Sequence, residues 1–298
     1  MYKKALIFMQ DESLIPLMQR IAEALDRLAP PAPTGQMHLP DANAYVWHPP
    51  ARFEPLQNTH ALPLKLILGV DQQKQLLLEN TRRFAGGFAA NNTLLWGARG
   101  TGKSSLVKAV HHEVVHEKQS DLALIELARE DIGTLPKMLP HLHGLPRRFI
   151  ILCDDLSFDN DDSSYKSLKS VLEGGLLSRP DNVLFYATSN RRHLLPREMQ
   201  ENEHAAAIHV NDVIDEKVSL SDRFGLWLGF QAMDQATYLS IIAAYDAYFN
   251  LGMDETERNA QAIAWSRTRG ACSGRVAWQC ITDMAGRQGK SLHRTPSH

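Results

Sequence analysis

What this chain of 298 residues lacks narrows the field before any motif is read. Cysteine is scarce. Cys153, Cys272 and Cys280 form an odd set without metal-type spacing, which argues against a disulfide framework and fits reduced thiols. No apolar run approaches the roughly 18 residues that a membrane helix needs. The opening MYKKALIFMQDE meets acids too early for a secretory signal, so a soluble, cytoplasmic protein with no membrane partner is expected. Charge of one sign is lacking too, since 32 basic against 34 acidic residues leave a net charge of −2. Proteins that grip nucleic-acid phosphates usually carry a basic excess, and here only local pairs such as Arg82-Arg83 and Arg147-Arg148 occur. A nucleic-acid partner stays possible but draws no support from charge. What the chain does have is apolar bulk: 44% of its residues are hydrophobic, enough to bury a full core.

Texture divides the chain into zones. Residues 1–60 read as an N-terminal extension. Its one amphipathic helix places Leu14, Leu17, Met18, Ile21, Leu25 and Leu28 near a 3.6-residue period. A Pro-rich break follows, then an extended segment around Tyr45 and Trp47. Residues 61–231 alternate helix and strand. The strands are expected at Thr93–Trp96, Leu122–Leu127, Phe149–Cys153, Val183–Thr188 and Gly225–Phe230. Short apolar runs separated by helices predict a buried, parallel five-stranded sheet flanked by helices, an α/β fold. Residues 232–288 read as helices only, a small all-helical lid, and 289–298 as a disordered tail.

The strongest chemical signal is Gly97-Ala98-Arg99-Gly100-Thr101-Gly102-Lys103-Ser104, which fits G-x-x-x-x-G-K-[ST] between an apolar strand and a helix. Glycines let backbone N–H groups turn inward around phosphate oxygens. Lys103 adds a point charge at the β/γ-phosphates, and the Ser104 hydroxyl ligates Mg²⁺. Ser105 completes the binding segment. This predicts a P-loop NTPase. A metal held on phosphates also needs a nearby acid at the end of another strand. The run Arg148-Phe149-Ile150-Ile151-Leu152-Cys153-Asp154-Asp155 supplies two. Asp154 belongs near the metal, and Asp155 is placed to polarise the attacking water.

The order of these motifs resembles the AAA+ ATPases. Ser189-Asn190 looks like the position where a polar side chain orients the water. Ser221-Asp222-Arg223-Phe224-Gly225 is similar to the arginine-finger segment of bacterial branch-migration motors, in which the arginine reaches a neighbouring subunit's γ-phosphate. Ser273-Gly274-Arg275-Val276-Ala277 looks like the lid arginine. The phrases LLWGARGTGKSSLVKA, CDDLSFDNDDSSYKSLKSVLEGG, YATSNRRHLLP, SLSDRFGLWL and SGRVAWQ strongly resemble one group of stand-alone bacterial AAA+ proteins, the domain-of-unknown-function 815 family. The resemblance spans about residues 64–286, and weakly the Trp47 region, and implies an AAA+ core that binds ATP. The likeness of Arg223 to an arginine finger implies a homo-oligomer joined through it, and the protein client stays unidentified. Asp155 stands where glutamate is commoner. The chain has no Asn-Lys pair, and therefore no guanine-reading Asn-Lys-x-Asp, which favours ATP. By the same resemblance the adenine contact involves the backbone near Leu68-Gly69-Val70.

Other strings invite rival readings. His112-Glu113-Val114-Val115-His116 is a literal H-E-x-x-H, but the core stripe of its helix runs through Leu106, Val107, Val110 and Val114. Both histidines should therefore face outward. Asp159-Asn160-Asp161-Asp162 begins like a calcium loop without its glycine or closing glutamate, and reads better as a capped helix start. Trp278 and Tyr245 are expected in the lid core. The segment Ala128–Gly133 lacks the aromatic of a threading loop, and Gly174–Asn182 is too short for a helicase hairpin. Three functions stay open: an ATPase that remodels or loads a protein or nucleoprotein, an ATP-binding switch with negligible hydrolysis, and a small-molecule kinase.

Overall fold

The computed structural model describes residues 39–292 except 58, 60, 119, 159–163, 174–178, 192–193 and 195–219, with Pro16 and Arg20 besides. The chain divides into two compact units, Met1–Leu39 and Pro40–His298. The expected amphipathic helix of Leu14–Leu28 and the calcium-like run 159–162 lie outside the described residues.

Seven strands form one sheet: β1 (Ala44–His48), β2 (Arg52–Pro55), β3 (Thr93–Gly97), β4 (Leu122–Leu127), β5 (Arg148–Cys153), β6 (Val183–Ser189) and β7 (Leu226–Phe230). Their order is β2-β1-β4-β5-β6-β3-β7. Every neighbouring pair is parallel except β1 with β2. The five expected strands form the parallel core, and the expected count of five is corrected to seven. The reason is the hairpin of residues 44–55, read from sequence as part of an extension. Its β1 pairs in parallel with β4, Tyr45 opposite Ile125, and so covers an otherwise open sheet edge. Tyr45 and Trp47 are buried, and the Trp47 indole donates to Thr134 Oγ1 at 2.9 Å. The new edge, β2, is short and carries Arg52 and Glu54, which discourages further pairing.

Strand residues alternate between two buried faces, as expected of a parallel sheet. On one face Leu95, Leu124, Ile150, Leu152 and Leu184 pack against α1 (Asp71–Ala85) and α2 (Lys103–Lys118). Leu94, Ile125, Phe149, Ile151 and Phe185, on the alternate positions, are buried as well. Two further helices, α3 (Leu135–Leu142) and α4 (Ser164–Glu173), contact one another. A 3-10 turn, Arg129–Thr134, leads directly into α3. Pro136 sits in the first turn of α3, a position that proline suits, and Pro140 lies inside the helix.

The lid is α5 (Gln235–Phe249), α6 (Glu255–Arg269) and α7 (Gly274–Arg287). Each begins at a capping side chain: Asp234 accepts from Thr237 N, Asp254 from Glu257 N and Ser273 from Val276 N. Asn250 and Gly270 end α5 and α6 in left-handed conformations. The lid has its own core, built on Tyr238, Ile242, Ala277 and Ile281, and Leu66 of a preceding 3-10 turn enters it. Of the expected tail, Lys290 is held in place, donating to the carbonyls of Asn250 at 3.1 Å and Leu251 at 2.6 Å.

Candidate nucleotide site

Strand β3 delivers the chain into a loop whose glycines are sterically required. Gly97 has φ 138°, and a Cβ there would lie 2.0 Å from the Phe230 carbonyl oxygen. Gly100 and Gly102 follow with φ 75° and 91°, so the loop backbone adopts turns that other residues resist. Helix α2 then begins at Lys103, which is buried. Its ammonium donates to the carbonyls of Gly97 at 2.9 Å and Ala98 at 2.7 Å, and to Asn190 Oδ1 at 3.2 Å. Burial pushes the Lys103 pKa below its usual value, and Asp154 and Asp155 partly counter this.

The ends of β5 and β6 complete the network. Asp154 accepts from both the Ser104 and the Thr188 hydroxyls. The Asp155 backbone N–H donates back to Thr188 Oγ1 at 3.0 Å, so one threonine orients both acids. Asp155 itself sits at φ 52°, a left-handed conformation uncommon outside glycine, and its carboxylate accepts from the Asn190 amide. A hydroxyl and a carboxylate side by side at a phosphate-type loop are the hard oxygen donors that Mg²⁺ takes, so Ser104 and Asp154 fit that ion. Among the described residues no group of three or more His, Cys, Asp or Glu is arranged to hold a metal alone.

A cavity of about 780 Å³ opens above this network, and Arg99 through Ser105, Asp154, Asp155, Asn190 and Arg275 all line it. Its size suits a nucleotide-sized ligand. The lid closes directly on the loop: Arg275 N–H donates to Gly100 O at 3.3 Å, and Gly274 lies against the same carbonyl. Of the residues expected to act, Arg223 alone lies apart. It pairs instead with Glu173 at the end of α4, at 2.6 Å.

Two contributions escaped the sequence. Thr188 was read only as the end of a strand, although a hydroxyl buried in an apolar run is a signal of its own. Trp278 was expected in the lid core with Tyr245. Tyr245 is indeed buried at 3% exposure, but Trp278 is 37% exposed and lines the cavity. On the rival motif, Leu106, Val107, Val110 and Val114 are buried as expected and His116 is exposed, whereas His112 is half-buried and not fully outward.

These features are those of an AAA+ P-loop ATPase fold. A RuvB variant from Thermotoga maritima shares it with a TM-score of 0.50 and 17% identity, covering 75% of this chain and 65% of that one. The ORC2 protein of Aeropyrum pernix, solved in ADPNP–ADP complexes, gives a TM-score of 0.50 and 11% identity over 78% of this chain and 67% of that one. This chain therefore spans only about two thirds of the length of these proteins, and identity so low speaks for the fold alone. No curated protein matches it in sequence. The family described as Protein of unknown function (DUF815) matches over residues 40–288, and the chain belongs to that family. Among the described residues no helix is long and apolar enough to cross a membrane.

Proposed function

We propose that this protein is a Mg²⁺-dependent ATPase that hydrolyses ATP at a subunit interface to remodel or load a protein or nucleoprotein partner. The observation that carries the reading is the continuous network from Lys103 through Asn190 and Asp155 to Thr188, Asp154 and Ser104. Three separate elements converge to build it. In this reading Lys103 leaves its carbonyl partners for the β/γ-phosphates. Bound through Ser104 and Asp154, Mg²⁺ supplies charge neutralisation on the phosphate oxygens. Asp155 accepts the proton of the attacking water, and the Asn190 amide fixes that water's position. Arg275 approaches from the lid of the same subunit.

Arg223 does not line its own subunit's cavity, so its proposed work is in trans, on nucleotide held by a neighbour. An arginine acting this way requires a homo-oligomer. Adenine is proposed over guanine because the chain lacks the Asn-Lys-x-Asp segment.

One observation favours a second reading, a nucleotide-gated switch with negligible hydrolysis. The Asp155 carboxylate is already engaged by Asn190 and is a methylene shorter than glutamate. Mg²⁺-dependent turnover measured over a wide range of protein concentration separates the two. The ATPase reading expects specific activity to climb with concentration, and Asp155→Asn to lower it by about 10²–10⁴. Tight MgATP binding without turnover at any concentration would move the conclusion to the switch.

A further inference from the structure

Trp278 is one of few large apolar side chains left open to solvent among the described residues, and its position ties it to the nucleotide cavity. Helix α7 starts on the phosphate loop, with Arg275 N–H bonded to Gly100 O. Trp278 lies three residues on, on the same face of the helix and about 4.5 Å further along its axis. A ligand whose phosphates rest on Gly100–Lys103 would have its sugar and base alongside that next turn. The indole is also braced. Tyr245 meets it edge-on at 5.5 Å and 86°, and Phe249 at 6.0 Å and 65°. A ring fixed by two aromatic neighbours has little conformational freedom left to lose when a ligand lies against it.

The rest of the lining says how a base would be held. The carboxylates and the side-chain amide around the cavity belong to Asp154, Asp155 and Asn190, all engaged in the phosphate network. Leu66, Met233 and Ile241 join Tyr245 and Trp278 as apolar walls. We infer that Trp278 is the surface on which the nucleobase stacks, so that this site selects purine over pyrimidine nucleotides mainly by stacking area. This rests on the nucleotide reading given above. It assigns Trp278 to binding and not to the chemical step.

The test compares MgATP, MgCTP and magnesium tripolyphosphate, the last carrying no base, in equilibrium binding to wild type, Trp278→Ala and Trp278→Phe. Stacking predicts that Trp278→Ala weakens ATP by roughly 5- to 150-fold, the range typical of a lost base–aromatic contact. The loss for CTP should be smaller, tripolyphosphate should bind as before, and Trp278→Phe should recover most of the ATP affinity. Nucleotide should also quench tryptophan emission in wild type and not in Trp278→Phe, the difference isolating one of five tryptophans. Equal losses for all three ligands would mean that Trp278 only props up the lid, and would overturn the inference. Unchanged ATP affinity in Trp278→Ala would overturn it as well. If wild type bound neither ATP nor tripolyphosphate, the nucleotide reading itself would fall, and this inference with it.

Discussion

Helix α2 carries a motif match at each end, and only one has become a site. At its start, Lys103 and Ser104 meet Asp154 from β5, Asn190 from beyond β6 and the lid's Arg275 within one cavity. Further along, His112 and His116 match a zinc-protease string equally well. Their rings stack on each other at 4.0 Å, and the His116 ring nitrogen lies 2.7 Å from the His112 carbonyl oxygen. They border a second cavity, of about 540 Å³, shared with residues 40–44, but among the described residues no metal-ligand set converges there. The difference lies in what tertiary structure brings opposite the string. A motif names donors, and distant elements decide whether they have anything to act with.

The sharpest way to break this comparison is to remove the most distant contributor. Arg223→Ala should reduce turnover of the assembled protein by about 10³–10⁵ while leaving ATP binding intact, because Arg223 lies outside its own cavity. Turnover equal to wild type would cancel the trans role. A smaller effect concerns His111, which immediately precedes the unused motif and is buried, with Nε2 3.2 Å from the Leu122 carbonyl oxygen. Burial drives its pKa from 6.5 down to about 4. Above pH 6.5 the imidazole is neutral in both folded and unfolded chains. Below it the unfolded chain takes up a proton that the folded one refuses, so stability is lost as pH falls toward about 4. The loss should reach about 3 kcal/mol. Urea midpoints across this range should show it, and His111→Gln should flatten the dependence. Smallest of all, His112→Ala with His116→Ala should leave both turnover and zinc content unchanged. Loss of stoichiometric zinc from that double variant would restore the protease reading.

Most of the core was legible because its elements are local. The apolar run Leu122–Leu127 became β4 with those bounds. Residues 232–288, read as helices only, form the three lid helices, each started by a side-chain cap that acts within three residues. What stayed hidden depends on distant partners. Nothing in AYVWH reveals that it will lie beside β4, a pairing across about 80 residues that no local period encodes. Trp278 and Tyr245 were both expected in the lid core, and only the packed lid shows that Tyr245 is buried while Trp278 stays partly exposed. The same holds for Thr188, whose role exists only once β5 and β6 lie side by side.

The contact between Gly97 and Phe230 has one more consequence. Arg223 stands three residues before β7, and β7 ends at Phe230, whose carbonyl accepts from Ala98 N–H at 3.3 Å beside the glycine that opens the phosphate loop. A strand of five residues, roughly 17 Å long, thus joins the segment of Arg223 to the loop proposed to hold the subunit's own nucleotide. No side chain fits between loop and strand, so the two are in direct backbone contact. If Arg223 acts on a neighbour's nucleotide as proposed above, this strand is the covalent link between that contact and the subunit's own phosphate loop.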